Sequence, residues 1–145
     1  CMRQAIVSVL VLGIAGWTAC STQHAGPNDG TPRRLSADQL HELVMSGEPY
    51  SCVDVRTDPE VRQGGTLPGC LPIPLDELQH RWTEIPRTRK LVVICASGHR
   101  ALLAAQYLES KGLQPTGIGA MSEYTSKGYA VVYPANPDRP DHGEE

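Results

Sequence analysis

The sequence contains no phenylalanine, and two tryptophans and five tyrosines make up all the aromatic residues among its 145. The core of any domain must therefore consist mainly of Leu, Val, Ile and Ala. An excess of positive charge is also absent, because 13 Lys and Arg face 16 Asp and Glu and the formal net charge is -3. This balance argues against a nucleic-acid partner. No segment recurs at a fixed period, which excludes solenoids and propellers.

The chain has the length and apolar content of one globular domain, since 40% of its residues are hydrophobic. The apolar run at residues 5–19, AIVSVLVLGIAGWTA, follows Arg3. About 15 residues fall short of the roughly 18 to 20 that a permanent membrane span needs. The run therefore predicts a cleaved signal peptide over residues 1–19.

Cys20 directly follows this run, and WTAC at residues 17–20 resembles the lipobox of bacterial lipoproteins, with Trp17 in place of an aliphatic residue. We expect Cys20 to be lipidated and the protein to be exported to the periplasm and held at a membrane. Secretion after a different cleavage and an uncleaved anchor are the alternatives. Each of the three places the domain outside the cytoplasm.

The remaining chain divides into a polar tether over residues 20–34, a domain over residues 35–133, and an acidic, proline-containing tail over residues 134–145 that we expect to be disordered. Within the domain, short β-branched runs alternate with helical patterns. This alternation predicts an α/β fold with βαβ units around a mostly parallel sheet. We expect strands at residues 50–55, 70–73, 91–95 and 116–118, and helices beginning at 36, 75, 99 and 122. Residues 56–69 should form a loop with at most one turn of helix.

One segment has the features of a nucleophilic site. A buried strand is expected to end at a cysteine, and a short glycine-containing loop then opens a helix. In open α/β sheets ligands bind at the carboxyl ends of strands, and free N–H groups at a helix start can surround an anion or a thiolate. The residues concerned are Cys95, Ala96, Ser97, Gly98, His99 and Arg100. The alternative is that the cysteine is only a small buried hydrophobic residue.

Four segments resemble the single-domain rhodanese family. They read CVDVR at residues 52–56, GTLPGCLPIPL at 65–75, LVVICASGHRA at 91–101, and, within residues 108–132, LESKG followed by IGAMSEYTSKGYAVV. The resemblance spans about 100 residues, and an exported member would be similar to the periplasmic phage-shock type. It implies a rhodanese-like fold with a five-stranded, mostly parallel sheet flanked by helices on both faces.

The resemblance also implies a sulfurtransferase in which the Cys95 thiolate takes a sulfane sulfur from thiosulfate or a similar donor and holds it as a persulfide. A thiol or cyanide then removes that sulfur. The loop N–H groups would stabilise the persulfide, and Arg100 would help to bind the donor's sulfonate. No cofactor is implied, and the histidines show no spacing that suits a metal.

Two other interpretations remain open. Phosphatases and arsenate reductases of this fold resemble C-x5-R, whereas Cys95 and Arg100 form the shorter C-x4-R, which suits a sulfur atom better than a tetrahedral phosphate. A catalytically inert binding or sensing module is the other interpretation. The sequence departs from the family pattern at Thr66, usually histidine, at Cys70, usually alanine, and at Ala120 and Tyr124, where glycine and tryptophan are common.

Several supporting residues complete the sequence-based predictions. Asp54 and Arg56 fall in the DVR segment, and we expect a structural role for them, with Glu60 as a candidate partner of Arg56. Cys52 and Cys70 should lie in neighbouring strands. We expect two free buried thiols more than a bridge, because adjacent parallel strands rarely present bridging geometry. His99 should either tune Cys95 or face water.

Overall fold

The computed structural model describes residues 31–87 and 90–134. The predicted signal peptide, Cys20, the tether up to residue 30 and the tail from residue 135 lie outside the described residues. In chain order the elements are β1 (Arg33–Arg34), α1 (Ala37–Met45), β2 (Ser51–Asp54), α2 (Asp58–Gly64), β3 (Cys70–Pro72), α3 (Leu78–Arg81), a 3₁₀ turn (Trp82–Glu84), β4 (Leu91–Cys95), α4 (His99–Ser110), β5 (Pro115–Ala120) and α5 (Met121–Ser126).

The strands form one five-stranded sheet in the order β1-β5-β4-β2-β3, and every pair is parallel. Strand β4 occupies the centre, and all five of its residues are buried. A continuous apolar run such as LVVIC is typical of a strand covered on both faces. The predicted α/β class and five-stranded parallel sheet are thereby confirmed.

Side chains alternate along the strands and build two core layers, one on each face of the sheet. Val53, Val93 and Cys95 pack with the buried face of α4, in a layer that also includes residues of α3. Cys52 and Val92 pack on the opposite face with residues of α1 and α5. Cys95, the candidate nucleophile, and Cys52 therefore lie on opposite faces of the sheet.

Helix α1 begins as predicted, with a reciprocal cap at its first turn. The Ser36 hydroxyl accepts from the Gln39 N–H at 3.2 Å, and the Gln39 side chain accepts from the Ser36 N–H at 3.0 Å.

Within residues 31–87 and 90–134, no helix is long and apolar enough to cross a membrane.

Helix α2 corrects the prediction of a loop with at most one turn over residues 56–69, because it spans seven residues. Its start is held by the Glu60 carboxylate, which accepts from the N–H and the hydroxyl of Thr57, each at 2.9 Å. A proline in the first turn suits a helix start, where its missing N–H costs nothing. The composition of Asp, Pro and Gly thus marks the ends of a helix here and not a continuous loop.

Strand β1 lies inside the segment predicted as tether. Arg33 and Arg34 pair with Gly117 and Ile118 of β5, and the Leu35 N–H continues this pairing by donating to the Ile118 carbonyl at 2.8 Å. A Cβ on Gly117 would lie 2.6 Å from the Leu35 side chain, so the missing side chain makes room for this edge. The folded domain therefore begins before Leu35.

Cys52 and Cys70 form a disulfide, so the preferred expectation of two free thiols is wrong. The two residues are direct register partners in β2 and β3, and their Cα atoms are 4.4 Å apart. That separation lies at the short end of the range a disulfide tolerates. Register, which the sequence alone does not determine, decides the pairing.

Candidate functional site

The candidate site lies at the carboxyl edge of the sheet, where β4 ends at Cys95 and α4 begins at His99. Cys95 is fully buried, and it is the free cysteine of the described residues. The Gly98 N–H donates to its Sγ across 2.9 Å. The backbone of the loop therefore turns back on the sulfur at the end of the strand.

Gly98 is required by this turn because of its backbone conformation. Its φ of 96° lies in the left-handed region that side chains disfavour. A Cβ there would also stand 2.6 Å from Nη1 of Arg34. Glycine is thus the residue that lets the loop bring its N–H to Sγ while another chain segment covers it.

The other loop residues differ in their surroundings. The Ala96 carbonyl accepts from the Ser122 N–H at 3.0 Å, which joins the loop to the start of α5. Ser97 and His99 are exposed. The His99 side chain makes no hydrogen bond or ion pair with the described residues and is exposed to solvent, which is one of the two roles predicted for it.

Arg100 is bound by Glu60 of α2 and not by a residue of its own helix. Its Nη1 and Nη2 donate to the two carboxylate oxygens at 2.8 and 2.6 Å. This bidentate contact holds the pKa of Glu60 well below its usual value, at about 2. The contact with Glu60 also raises the pKa of Arg100, and attraction to Cys95 adds to that rise.

The expected pairing of Glu60 with Arg56 is therefore wrong, because Arg56 forms its ion pair with Asp54. The Asp54 carboxylate is fully buried and accepts from the N–H, Nε and Nη2 of Arg56, the last at 2.6 Å. Thr66 donates to the same carboxylate at 2.7 Å, and Arg56 also donates to the Gly65 carbonyl. These contacts tie the end of β2 to the segment between α2 and β3, and the structural role of Asp54 and Arg56 stays a prediction.

The family model for the rhodanese-like domain matches residues 36–126 of this chain. The chain belongs to the rhodanese family. Among curated relatives, a sulfurtransferase of Allochromatium vinosum is 33% identical over 78 residues, covering 54% of this chain and 72% of the relative. The mitochondrial thiosulfate sulfurtransferase RDL2 of Saccharomyces cerevisiae is 30% identical over 118 residues, covering 71% of this chain and 79% of the relative.

Solved structures agree on the rhodanese fold. A rhodanese-related protein from Thermoplasma volcanium is 32% identical with a TM-score of 0.60, covering 69% of this chain and 97% of that one. The crystal structure of the single-domain sulfurtransferase RDL2 from Saccharomyces cerevisiae has a TM-score of 0.56 at 29% identity, covering 71% of this chain and 96% of that one.

Two residues of this rhodanese domain make contacts that the sequence does not indicate. Thr66, noted there only as a departure from the family pattern, completes the hydrogen bonding of Asp54. Arg34, assigned there to the tether, reaches the Ser97 carbonyl and pairs with Glu123 of α5. None of these three contacts leaves a periodic signal, since each joins residues at least 12 positions apart in the chain.

The arrangement suits a buried anion at Cys95. The Gly98 N–H already points at the sulfur, and Arg100, which Glu60 binds, lies in the first turn of the helix that follows the loop. Such donors stabilise a thiolate or a persulfide without moving during the reaction. In the part of the chain that the structure describes, no group of acidic, histidine or cysteine side chains is arranged to hold a metal ion.

Proposed function

We propose that this rhodanese is a sulfurtransferase that carries a sulfane sulfur as a persulfide on Cys95. The observation that carries the proposal is the hydrogen bond from the Gly98 N–H to the Cys95 Sγ, at the end of the central strand. A donor in this position can hydrogen-bond a negatively charged sulfur, whether it belongs to the thiolate or to the persulfide. The names of the two relatives, both sulfurtransferases, support the same reaction class.

The reaction would proceed in two displacement steps. The Cys95 thiolate attacks the outer sulfur of thiosulfate, a new S–S bond forms, and sulfite leaves with the electron pair of the broken bond. Cyanide or a thiolate then attacks the terminal sulfur of the persulfide. Thiocyanate or a new persulfide leaves, and the Cys95 thiolate is restored, so the scheme is ping-pong.

In this scheme Arg100 would supply a fixed positive charge beside the sulfur. Glu60 engages both of its terminal nitrogens, at 2.6 and 2.8 Å. A sulfonate that used Arg100 would therefore have to displace or share Glu60. The exposed Ser97 and His99, at the outer side of the loop, are the residues best placed to meet the donor or the acceptor.

Oxyanion chemistry on the same scaffold is the second candidate. One structural neighbour is a possible tyrosine phosphatase from Rhodopseudomonas palustris, but at 23% identity it supports the shared fold alone. The short C-x4-R loop suits a sulfur atom better than a tetrahedral phosphate and disfavours this chemistry. A catalytically inert module would retain the fold without turnover.

Steady-state assays separate these functions. Thiosulfate and cyanide should give thiocyanate with parallel lines in a double-reciprocal analysis, and Cys95→Ser should abolish the product. Hydrolysis of an aryl phosphate or reduction of arsenate, without thiocyanate formation, would overturn the proposal in favour of oxyanion chemistry. No turnover in any assay, by a folded protein, would indicate the inert module.

We also propose that the protein is exported and lipidated on Cys20. The Cys52–Cys70 disulfide supports an oxidising compartment, because such bonds are rare in the reducing cytosol. Expression of the full chain in a bacterium, followed by mass spectrometry of the mature N-terminal peptide, tests this. A diacylglyceryl group on an N-terminal Cys20 is expected, and a cytosolic product that retains residues 1–19 would contradict it.

A further inference from the structure

Arg34 approaches the candidate site from the far edge of the sheet. Its Nη1 donates to the Ser97 carbonyl at 3.2 Å, and its Nη2 pairs with the carboxylate of Glu123. The same Nη1 covers Gly98, where an added Cβ would lie 2.6 Å from it. An arginine from β1 and a glutamate from α5 thus hold the outer side of the Cys95 loop.

The contact matters because the Ser97 carbonyl and the Gly98 N–H belong to one peptide group. That group is planar and rigid, so fixing its oxygen also fixes the direction of its N–H. The oxygen accepts from Arg34, and the N–H donates to the Cys95 Sγ at 2.9 Å. Hydrogen bonds arranged in a chain polarise one another, and a cationic donor at one end strengthens the donor at the other.

We propose that Arg34 is a positioning residue for Cys95, acting through the Ser97–Gly98 peptide to aim and strengthen the N–H that stabilises the sulfur anion. This inference rests on the proposed function to the extent that Cys95 reacts as an anion. Under this proposal two arginines stabilise the negatively charged sulfur, Arg100 of α4 and Arg34 of the edge strand β1. Glu123 would keep the Arg34 side chain in place.

The competing explanation is an ordinary surface ion pair. The side chains of Arg34 and Glu123 are 53% and 47% exposed, and pairs at that exposure contribute little to stability. Under that explanation, replacing Arg34 would leave the reactivity of the Cys95 sulfur unchanged, or would raise it by exposing the sulfur to solvent. The two explanations therefore differ in the sign of the effect on the reactivity of Cys95.

The chain provides a matched control in Arg33. It lies in the same two-residue strand and is also exposed, yet alternation directs its side chain to the other face of the sheet. Arg33 makes no hydrogen bond or ion pair to the loop within the described residues. Arg33→Gln removes the same charge from the same strand without touching the Ser97–Gly98 peptide.

The first readout is the rate at which iodoacetamide alkylates Cys95 in the full, oxidised chain at neutral pH, measured by mass spectrometry of the Cys95 peptide. We expect Arg34→Gln to slow alkylation about threefold to fivefold, the range of a half-exposed charged contact. Arg34→Lys should restore most of the rate, and Arg33→Gln should match the wild type. An unchanged or faster rate in Arg34→Gln would overturn the proposal.

The second readout is the amide proton shift of Gly98 in a ¹H–¹⁵N spectrum, which reports directly on the donor. Arg34→Gln should move this resonance upfield, Arg34→Lys should return it toward the wild-type position, and Arg33→Gln should leave it in place. A Gly98 resonance insensitive to Arg34 would refute the inference even if stability falls. Neither readout needs a sulfur donor, so a protein without sulfurtransferase activity would refute the proposed function while leaving this test intact.

Discussion

Substitution Asp54→Asn should destabilise the domain strongly although it changes very little volume. Asp54 is fully buried, Arg56 is 5% exposed, and three donors of Arg56 together with the Thr66 hydroxyl converge on the carboxylate. The amide would leave the Arg56 guanidinium without a counter-charge in the interior. Breaking a buried ion pair from one side costs about 3 to 5 kcal/mol. That is a large part of the roughly 5 to 15 kcal/mol that stabilises a typical domain.

Urea unfolding, followed by circular dichroism with the disulfide kept oxidised, measures this loss. The control is Asp58→Asn, since Asp58 and Arg62 are 3.9 Å apart and both side chains are 57% exposed. That substitution should cost no more than about 0.5 kcal/mol. If Asp54→Asn stays within about 1 kcal/mol of the wild type, the reasoning about the buried pair is refuted.

Three further predictions concern the surroundings of the site. The contact with Arg100 lowers the pKa of Glu60 to about 2 in the folded protein, against about 4.5 in the unfolded chain. The Glu60 carboxylate therefore contributes fully to stability above a pH of about 4.5. This contribution is lost as the pH falls through about 2. The stability difference between wild type and Glu60→Gln, about 1 kcal/mol after screening at this half-exposed pair, should therefore vanish in acid, and a difference independent of pH would contradict the assignment. Replacing both Cys52 and Cys70 by serine opens a loop with a sequence separation of 18 and should lower the free energy of unfolding in urea by about 3 kcal/mol. The Cys95 persulfide should still form, because the disulfide lies on the opposite face of the sheet. Loss of the persulfide in a folded variant would contradict this. Gly98→Ala should lower thiocyanate formation about tenfold or more, because a side chain at φ 96° strains the loop that directs its N–H at Cys95. Gly112→Ala strains a glycine of similar φ, 79°, away from this loop and should keep activity; equal activity of the two variants would show that the loop tolerates the strain.

The parts of the fold with strong local signals could be predicted from the sequence. The predicted limits of β4 agree with Leu91–Cys95, and the predicted start of α4 agrees with the first residue of His99–Ser110, because an aliphatic run ends at a short glycine-containing loop. The capping box at Ser36 likewise marked the start of α1. Strand β1 has two residues, too few for any periodicity, and depends on its pairing with β5.

The position of the candidate site was predictable, but the partners of its residues were not. Which carboxylate meets which arginine depends on where α2 and α4 lie in the folded domain, so Glu60 binds Arg100 across 40 positions of sequence instead of the nearby Arg56. The Cys52–Cys70 bridge depends in the same way on the register of β2 and β3. Long-range geometry of this kind leaves no trace in local composition.

The most direct test of the account is intact-mass analysis of the protein after incubation with thiosulfate, before and after addition of cyanide. We predict a gain of one sulfur atom that maps to Cys95, disappears with cyanide and is absent from Cys95→Ser. A protein whose Cys95 alkylates readily but gains no sulfur from thiosulfate would contradict the central claim.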